Sequence, residues 1–223
     1  GVGRALARGG VGRDDLFLQT KFTFRDGQDH RLPYDARASI AAQVAQSFDS
    51  SLAHLGVERL DSLVLPGPAR RDGLGQEDHE AWRAMESIAD QRRVSLLGVS
   101  NVSLAQLEEL LAFARVPPAL VQNRCHAARG WDQAVRAACT DHGIVYQGFS
   151  LLTANRQVLA RPAVVAIATR HARTPAQVVL RFAQQVGMLL LTGTTDPVHM
   201  AQDLAIGDFT LDAGELATVQ RAG

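Results

Sequence analysis

Residues 16–22 read Leu-Phe-Leu-Gln-Thr-Lys-Phe, LFLQTKF. A short run that is apolar on both faces reads as a buried strand of a parallel sheet. Lys21, near its end, is the only lysine; every other residue among the 23 Lys and Arg is arginine. Two explanations stand side by side. Coding bias enriches arginine, and one lysine can survive by accident. Alternatively, the position needs a lysine, because arginine stays charged while lysine shifts its pKa on burial and presents a compact ammonium. In parallel α/β folds ligands gather at the carboxyl ends of strands. Lys21 stands at such an end, which favours the second explanation.

The same pattern repeats along the chain. Strands are predicted at 15–20, 61–65, 94–99, 119–122, 143–149 and 188–192. Helical periods lie between them. Residues 35–55 place Ile40, Val44, Phe48, Leu52 and Leu55 on one stripe, and 77–91 carry Trp82, Met85 and Ile88. Ser103 opens a helix with Leu104, Leu107 and Leu111 on one face. Thr174-Pro175 pairs a cap with proline at the first helical position. Asp212 and Glu215 have capping-box spacing. Alternating β and α segments without a polar linker predict one α/β domain over residues 1–223. Gly1 to Leu6 reads as the tail of a helix closed by Gly9-Gly10, so a preceding segment is expected.

Composition narrows the function classes. The 223 residues carry no formal net charge, with 46% hydrophobic and 21% charged residues. That balance gives no electrostatic reason to expect nucleic acid or an anionic membrane surface. No apolar run reaches the ~18 residues of a membrane span, and no signal-peptide pattern opens the chain. Cys125 and Cys139 form no C-x-x-C pair and suit a reducing cytosol, so a cytoplasmic protein is expected, with neither disulfide framework nor metal site. The other predicted strand ends present Pro66, Ser100-Asn101, Gln122, Phe149-Ser150 and Thr192-Gly193-Thr194. Amides and hydroxyls of this kind suit a carboxamide ligand, a flat aromatic gives a ring to stack on, and a Gly-Thr turn opening a helix suits a phosphate.

Six stretches carry a resemblance: LFLQTKF, GVSN (98–101), VQNRCH (121–126), YQGFSLL (146–152), TPAQVVLRFAQQVG (174–187) and LLTGTTDPVHMAQDL (190–204). In this order, over essentially the whole chain, they resemble the aldo-keto reductase superfamily. The resemblance implies a (β/α)8 TIM-barrel fold, with about six βα units in this chain. It also implies an extended nicotinamide dinucleotide bound without a Rossmann domain, NADP first and NAD as the alternative; no G-x-G-x-x-G occurs. By the same resemblance Ser100, Asn101 and Gln122 hold the nicotinamide carboxamide, and Phe149 takes the place of the stacking aromatic. Ser150 and Leu152 line the pyrophosphate path, and Thr192, Gly193 and Thr194 form the turn at the adenosine phosphate. His199 replaces a frequent arginine, and Gln202 and Asp203 stand as the adenine-contacting pair.

The implied reaction reduces a small aldehyde or ketone. Hydride passes to the carbonyl carbon while a tyrosine, its pKa lowered by a lysine, supplies the proton; Lys21 matches that lysine. Three features depart from the pattern. The family's aspartate and tyrosine belong to βα units that precede residue 1. The histidine of the family's strand end is replaced by Pro66, which has neither N–H nor side-chain donor. An impaired reductase is therefore expected, and the alternative is a degenerate dinucleotide-binding pseudoenzyme with a regulatory or partner-binding role. Open barrel edges would call for a second chain to cover them. Tyr34 and Tyr146, the chain's tyrosines, are poor substitute acids. His126 reads as a structural hydrogen bonder, and His30 as solvated. Trp131 reads equally as a wall of the substrate pocket, beside Pro66, or as a structural residue.

Overall fold

The computed structural model describes every residue except Gly1, His30, Ala69 and Arg71, so the readings of Gly1 and His30 fall outside the described residues. In chain order the elements are α1 (Val2–Arg8), β1 (Gln19–Lys21), α2 (Ile40–Leu55), β2 (Leu60–Leu65), α3 (Gln76–Asp90), β3 (Val94–Ser100), α4 (Leu104–Phe113) and β4 (Leu120–Arg124). Then come α5 (Gln133–Asp141), β5 (Val145–Phe149), α6 (Arg156–Leu159), α7 (Pro162–Arg170), α8 (Pro175–Gln185), β6 (Leu189–Leu191), α9 (Pro197–Leu204) and α10 (Ala213–Gln220). The sheet order among the described residues is β1-β2-β3-β4-β5-β6. The chain forms two compact units, Gly1–Val121 and Gln122–Gly223.

In the first unit β1, β2 and β3 pair in parallel, with Lys21 beside Val64 and Val64 beside Gly98. Side chains alternate along a strand, so Lys21, Val64 and Gly98 share one face. The other face meets helices: Thr20 Oγ1 lies 2.9 Å from Ser51 Oγ of α2. Val44, Phe48 and Leu52 of α2 and Trp82, Met85 and Ile88 of α3 are all buried, as their spacing predicts. Burying one such side chain contributes roughly 1.5–3 kcal/mol. The helix predicted from residue 35 begins at Ile40 instead, because the Ser39 hydroxyl accepts the Ala42 N–H and caps it there.

Strand ends differ from expectation in several places. β1 begins only at Gln19, because the Leu18 N–H is bonded to the Asp61 carboxylate at 2.7 Å. β5 begins at Val145, since Gly143 turns left-handed (φ 67) and the Ile144 N–H closes back on Cys139 O. β4 runs past Gln122 to Arg124, so Gln122 sits within its strand and not at its end.

In the second unit β5 and β6 pair in parallel, Gln147 beside Leu189 and Phe149 beside Leu191. The capping boxes predicted at Thr174 and Asp212 are both formed. Cys125 and Cys139 are buried free thiols, pushed up by burial to about 11 and about 12, which keeps them unreactive. Among the described residues no helix is long and apolar enough to cross a membrane.

Glu215 anchors α10 to α7. Its carboxylate accepts bonds from Arg170 (2.7 Å) and pairs with His171 Nε2 (2.9 Å). Burial raises its pKa, but the bonds from His171, Arg170 and the Asp212 N–H outweigh that and pull it down from 4.5 to about 2. A depressed carboxyl pKa contributes stability that is full above the unfolded-state value and is lost as pH falls through the folded one. Replacing Glu215 by Gln should therefore destabilise the protein at neutral pH. The gap between parent and variant should close as pH falls from 4.5 to about 2, as urea denaturation across that window will show.

Candidate functional site

Lys21 ends β1 on the face it shares with Val64 and Gly98. Its Nζ lies 3.4 Å from Ser100 Oγ, and burial lowers its pKa below the usual lysine value. Ser100 is fully buried at the end of β3, and its Oγ also accepts from Asn101 Nδ2 at 3.3 Å. Lys21, Ser100 and Asn101 thus form one bonded group. Gly98, on the same face, lets its neighbours pack close: a Cβ there would stand 3.0 Å from Leu120 and 3.2 Å from Val64. Pro66 follows β2 directly.

Backbone conformation singles out three of the predicted residues. Asn101 (φ 54), Trp131 (φ 57) and Ser150 (φ 56) are left-handed, Asn101 and Ser150 each directly after a strand. Asparagine tolerates that region, whereas serine visits it at a cost. Such strain persists where the surroundings hold it. At Ser150 the holding group is Asn155, a residue the sequence reading passed over. Asn155 is fully buried; its Oδ1 accepts the Ala127 N–H (2.7 Å), and its Nδ2 donates to Cys125 O (2.9 Å) and Leu151 O (2.8 Å). The segment after β4 and the segment after β5 are tied together by one carboxamide.

Ser150, Leu152, Thr192, Gly193, Thr194, His199, Gln202 and Asp203 all line a single cavity of about 620 Å³. Thr153, Thr174 and Gln177 add further polar groups to its wall. The lining contains no lysine or arginine; its ionisable members are His199 and Asp203. The N–H groups at the start of α9 already have partners. Asp196 caps it, accepting the Val198 (2.8 Å) and His199 (3.3 Å) N–H groups, which hold its carboxyl below the usual range. Position 197 is proline, and the Met200 N–H bonds Asp196 O. The first turn of α9 therefore has its donors committed.

Gln122 and Gln147 are buried and joined, Nε2 to Oε1, at 2.8 Å. Phe149 is half-buried at the end of β5. Trp131 is not a pocket wall. It is fully buried, donates its indole N–H to Val219 O at 3.2 Å and packs against Phe182 at 5.1 Å between ring centroids. An aromatic with this burial and a satisfied N–H belongs to the core. The tyrosines are equally committed. Tyr34 donates its hydroxyl to Thr23 O (2.7 Å) and Tyr146 to Asp132 Oδ2 (2.8 Å), and burial raises both pKa values.

Known proteins resemble this chain along its whole length. The model of the aldo/keto reductase family matches residues 1–223. A protein of Aspergillus clavatus named "Probable NAD(P)H-dependent D-xylose reductase" is 31% identical over 98% of this chain and 72% of its own length. An aldo-keto reductase of Mycolicibacterium vanbaalenii is 29% identical, with the same coverage of both chains. Among solved structures, an aldo/keto reductase from Brucella melitensis superposes with a TM-score of 0.82 at 28% identity, covering 100% of this chain and 79% of its own. A Gox0644 variant in complex with NADPH gives 0.81 at 26% identity, covering 99% and 74%.

Replacing Asn155 by Ala would leave one N–H and two carbonyls buried without these partners. At roughly 1–3 kcal/mol for each unsatisfied group, less whatever water recovers, a loss of about 3 kcal/mol is expected in urea denaturation. Trp131→Phe should cost stability as well, about 1–3 kcal/mol for lost volume and an orphaned Val219 carbonyl, while leaving dinucleotide affinity in place.

Proposed function

The chain belongs to the aldo/keto reductase family, and we propose that it is a reductase of small aldehydes or ketones using NADPH, with NADH as the alternative. The observation that carries this reading is the convergence on one cavity. Eight residues picked from separate motifs, 150–152, 192–194 and 199–203, line the same space of about 620 Å³. Its hydroxyl-rich and amide-rich wall fits the ribose, adenine and phosphate oxygens of a dinucleotide. Position 193 leaves open space: a Cβ there would meet nothing within 4 Å. For a 2′-phosphate, His199 is the one cationic candidate in the lining. The relative named as NAD(P)H-dependent and the neighbour solved with NADPH support the same choice.

Roles follow residue by residue. In the first unit Ser100 and Asn101 hold the nicotinamide carboxamide by hydrogen bonds. Lys21, a partly buried ammonium bonded to Ser100, favours the deprotonated form of a proton donor placed beside it. In the second unit Gln122 also serves the carboxamide, and Phe149 gives the ring on which the nicotinamide rests. Ser150 and Leu152 border the pyrophosphate, and Thr192 to Thr194 with His199, Gln202 and Asp203 take the adenosine end. When bound, the dinucleotide supplies hydride to the carbonyl carbon.

A second reading, dinucleotide binding without efficient turnover, is favoured by Pro66. Proline cannot hydrogen-bond a carbonyl oxygen, and losing a positioned acid-base group typically costs about 10²- to 10⁴-fold in rate. The bonds that hold Tyr34 and Tyr146 point the same way.

Calorimetric titration with NADPH and NADH, followed by NADPH oxidation with a panel of aldehydes, separates the readings. Binding with turnover is expected; binding alone in both the parent and Pro66→His would establish the second reading, and no binding would end both. With turnover, Lys21→Met should lower kcat/KM by at least about 100-fold while the NADPH Kd moves far less.

A further inference from the structure

A helix on the surface of a fold ordinarily turns its apolar side inward. α9 is set the other way round. Val198, Met200 and Leu204 are exposed, while His199, Gln202 and Asp203 line the cavity of about 620 Å³. A wall built this way suits a polar occupant. Among the described residues, the ionisable groups in the lining are His199 and Asp203. With His199 neutral the lining carries one negative charge; with His199 protonated it carries none.

The surroundings of the imidazole are simple. Asp196, which caps α9, places its Oδ2 4.0 Å from His199 Nδ1. Asp196 and Asp203 are thus the carboxylates beside it, both on or at the end of its own helix. The walls from other elements, residues 150–153, 174–177 and 191–194 with Leu159 and Leu180, are neutral. A nearby carboxylate favours the protonated imidazole. The same two carboxylates repel a phosphate, so a phosphate here depends on the proton that His199 carries.

NADPH and NADH differ by one 2′-phosphate, which as a phosphomonoester carries about −1.5 to −2 charge at pH 7. Histidine as a residue type changes charge between about pH 5 and 8. We infer that His199 makes the coenzyme choice pH-dependent: the phosphorylated coenzyme is preferred while the imidazole is protonated, and the preference fades as the proton is lost. This rests on the reading of the cavity as the adenosine end of a dinucleotide site. An arginine at position 199 would stay charged throughout. The phosphate, whose second ionisation lies near pH 6, would then bind as well or better as pH rises. The direction of the trend therefore identifies the group that governs it.

The test is calorimetric titration with NADP+ and NAD+, which differ by the same 2′-phosphate, at about pH 6 and about pH 8, either side of the histidine range. The parent protein, His199→Gln and His199→Arg are compared. In the parent, the affinity ratio of NADP+ over NAD+ should fall about fivefold or more between the two pH values. That is the scale of a charge-assisted hydrogen bond partly weakened by exposure. His199→Gln should show a low ratio at both pH values, and His199→Arg a high one that holds or rises. A parent ratio that stays level or rises with pH, while either coenzyme binds, would overturn the inference and leave the dinucleotide site standing. So would a fall of the same size in His199→Gln, which would give the titration to another group. Binding of neither coenzyme by the parent at either pH would remove the reading of the cavity and the inference with it.

Discussion

Three hydrogen bonds from the Asn155 carboxamide hold the two segments on which the second unit's candidate site is built. They reach the backbone at Cys125, Ala127 and Leu151, and all three are buried. A loop buried without such partners would leave its peptide groups unsatisfied, at a cost comparable to a lost hydrogen bond for each. Asn155 suits this place because a carboxamide offers two N–H donors and an acceptor oxygen; a hydroxyl has one donor and a carboxylate none, so either would satisfy only part of the set. Fixing Leu151 fixes its neighbour Ser150 in a left-handed conformation that serine rarely holds alone. The cavity wall from Ser150 to Leu152 thus depends on a residue with no place in any proposed chemistry.

Residues 2–121 solve the corresponding problem with register. Parallel pairing sets Lys21, Val64 and Gly98 in one row. Because Gly98 has no side chain, Val64 and Leu120 close over that position. The ammonium of Lys21 then reaches Ser100 at the end of the third strand. Burial lowers its pKa, and a lysine in that condition is a tunable cation, which arginine is not. The lone lysine of the sequence is therefore placed where burial acts on its pKa, as it would not on that of an arginine.

What could be read in advance divides along the range of the interactions. The strands at 61–65 and 94–99 and the caps at Ser103, Thr174 and Asp212 rest on neighbours a few residues away, and all appear. The start of β1 was misplaced because a distant side chain intervenes, Asp61 at Leu18, whereas the starts of α2 and β5 were shifted locally, by the Ser39 cap and the left-handed Gly143. Trp131 was ambiguous because its partners, Phe182 and Val219, are far along the chain. Asn155 was overlooked for the same reason. An asparagine in a loop looks like a turn residue until the segments it joins are known to be neighbours. The cavity residues were legible only as a resemblance; neither periodicity nor charge would have gathered 150–152 with 192–203.

Charge placement in the second unit has a consequence for how anions are held. A helix start is ordinarily the cheapest source of positive potential for a phosphate. At α9 that source is already occupied by the Asp196 carboxylate, and the adjoining cavity wall has Asp203 but no lysine or arginine. Phosphate oxygens placed there must rely on hydroxyls, backbone and His199, so they gain little from net charge. Arg124, whose wide planar cation rests on Phe149, stands outside that wall. A phosphate-bearing ligand in a cavity arranged this way would be held mainly by shape and neutral hydrogen bonds, which are weakly sensitive to salt.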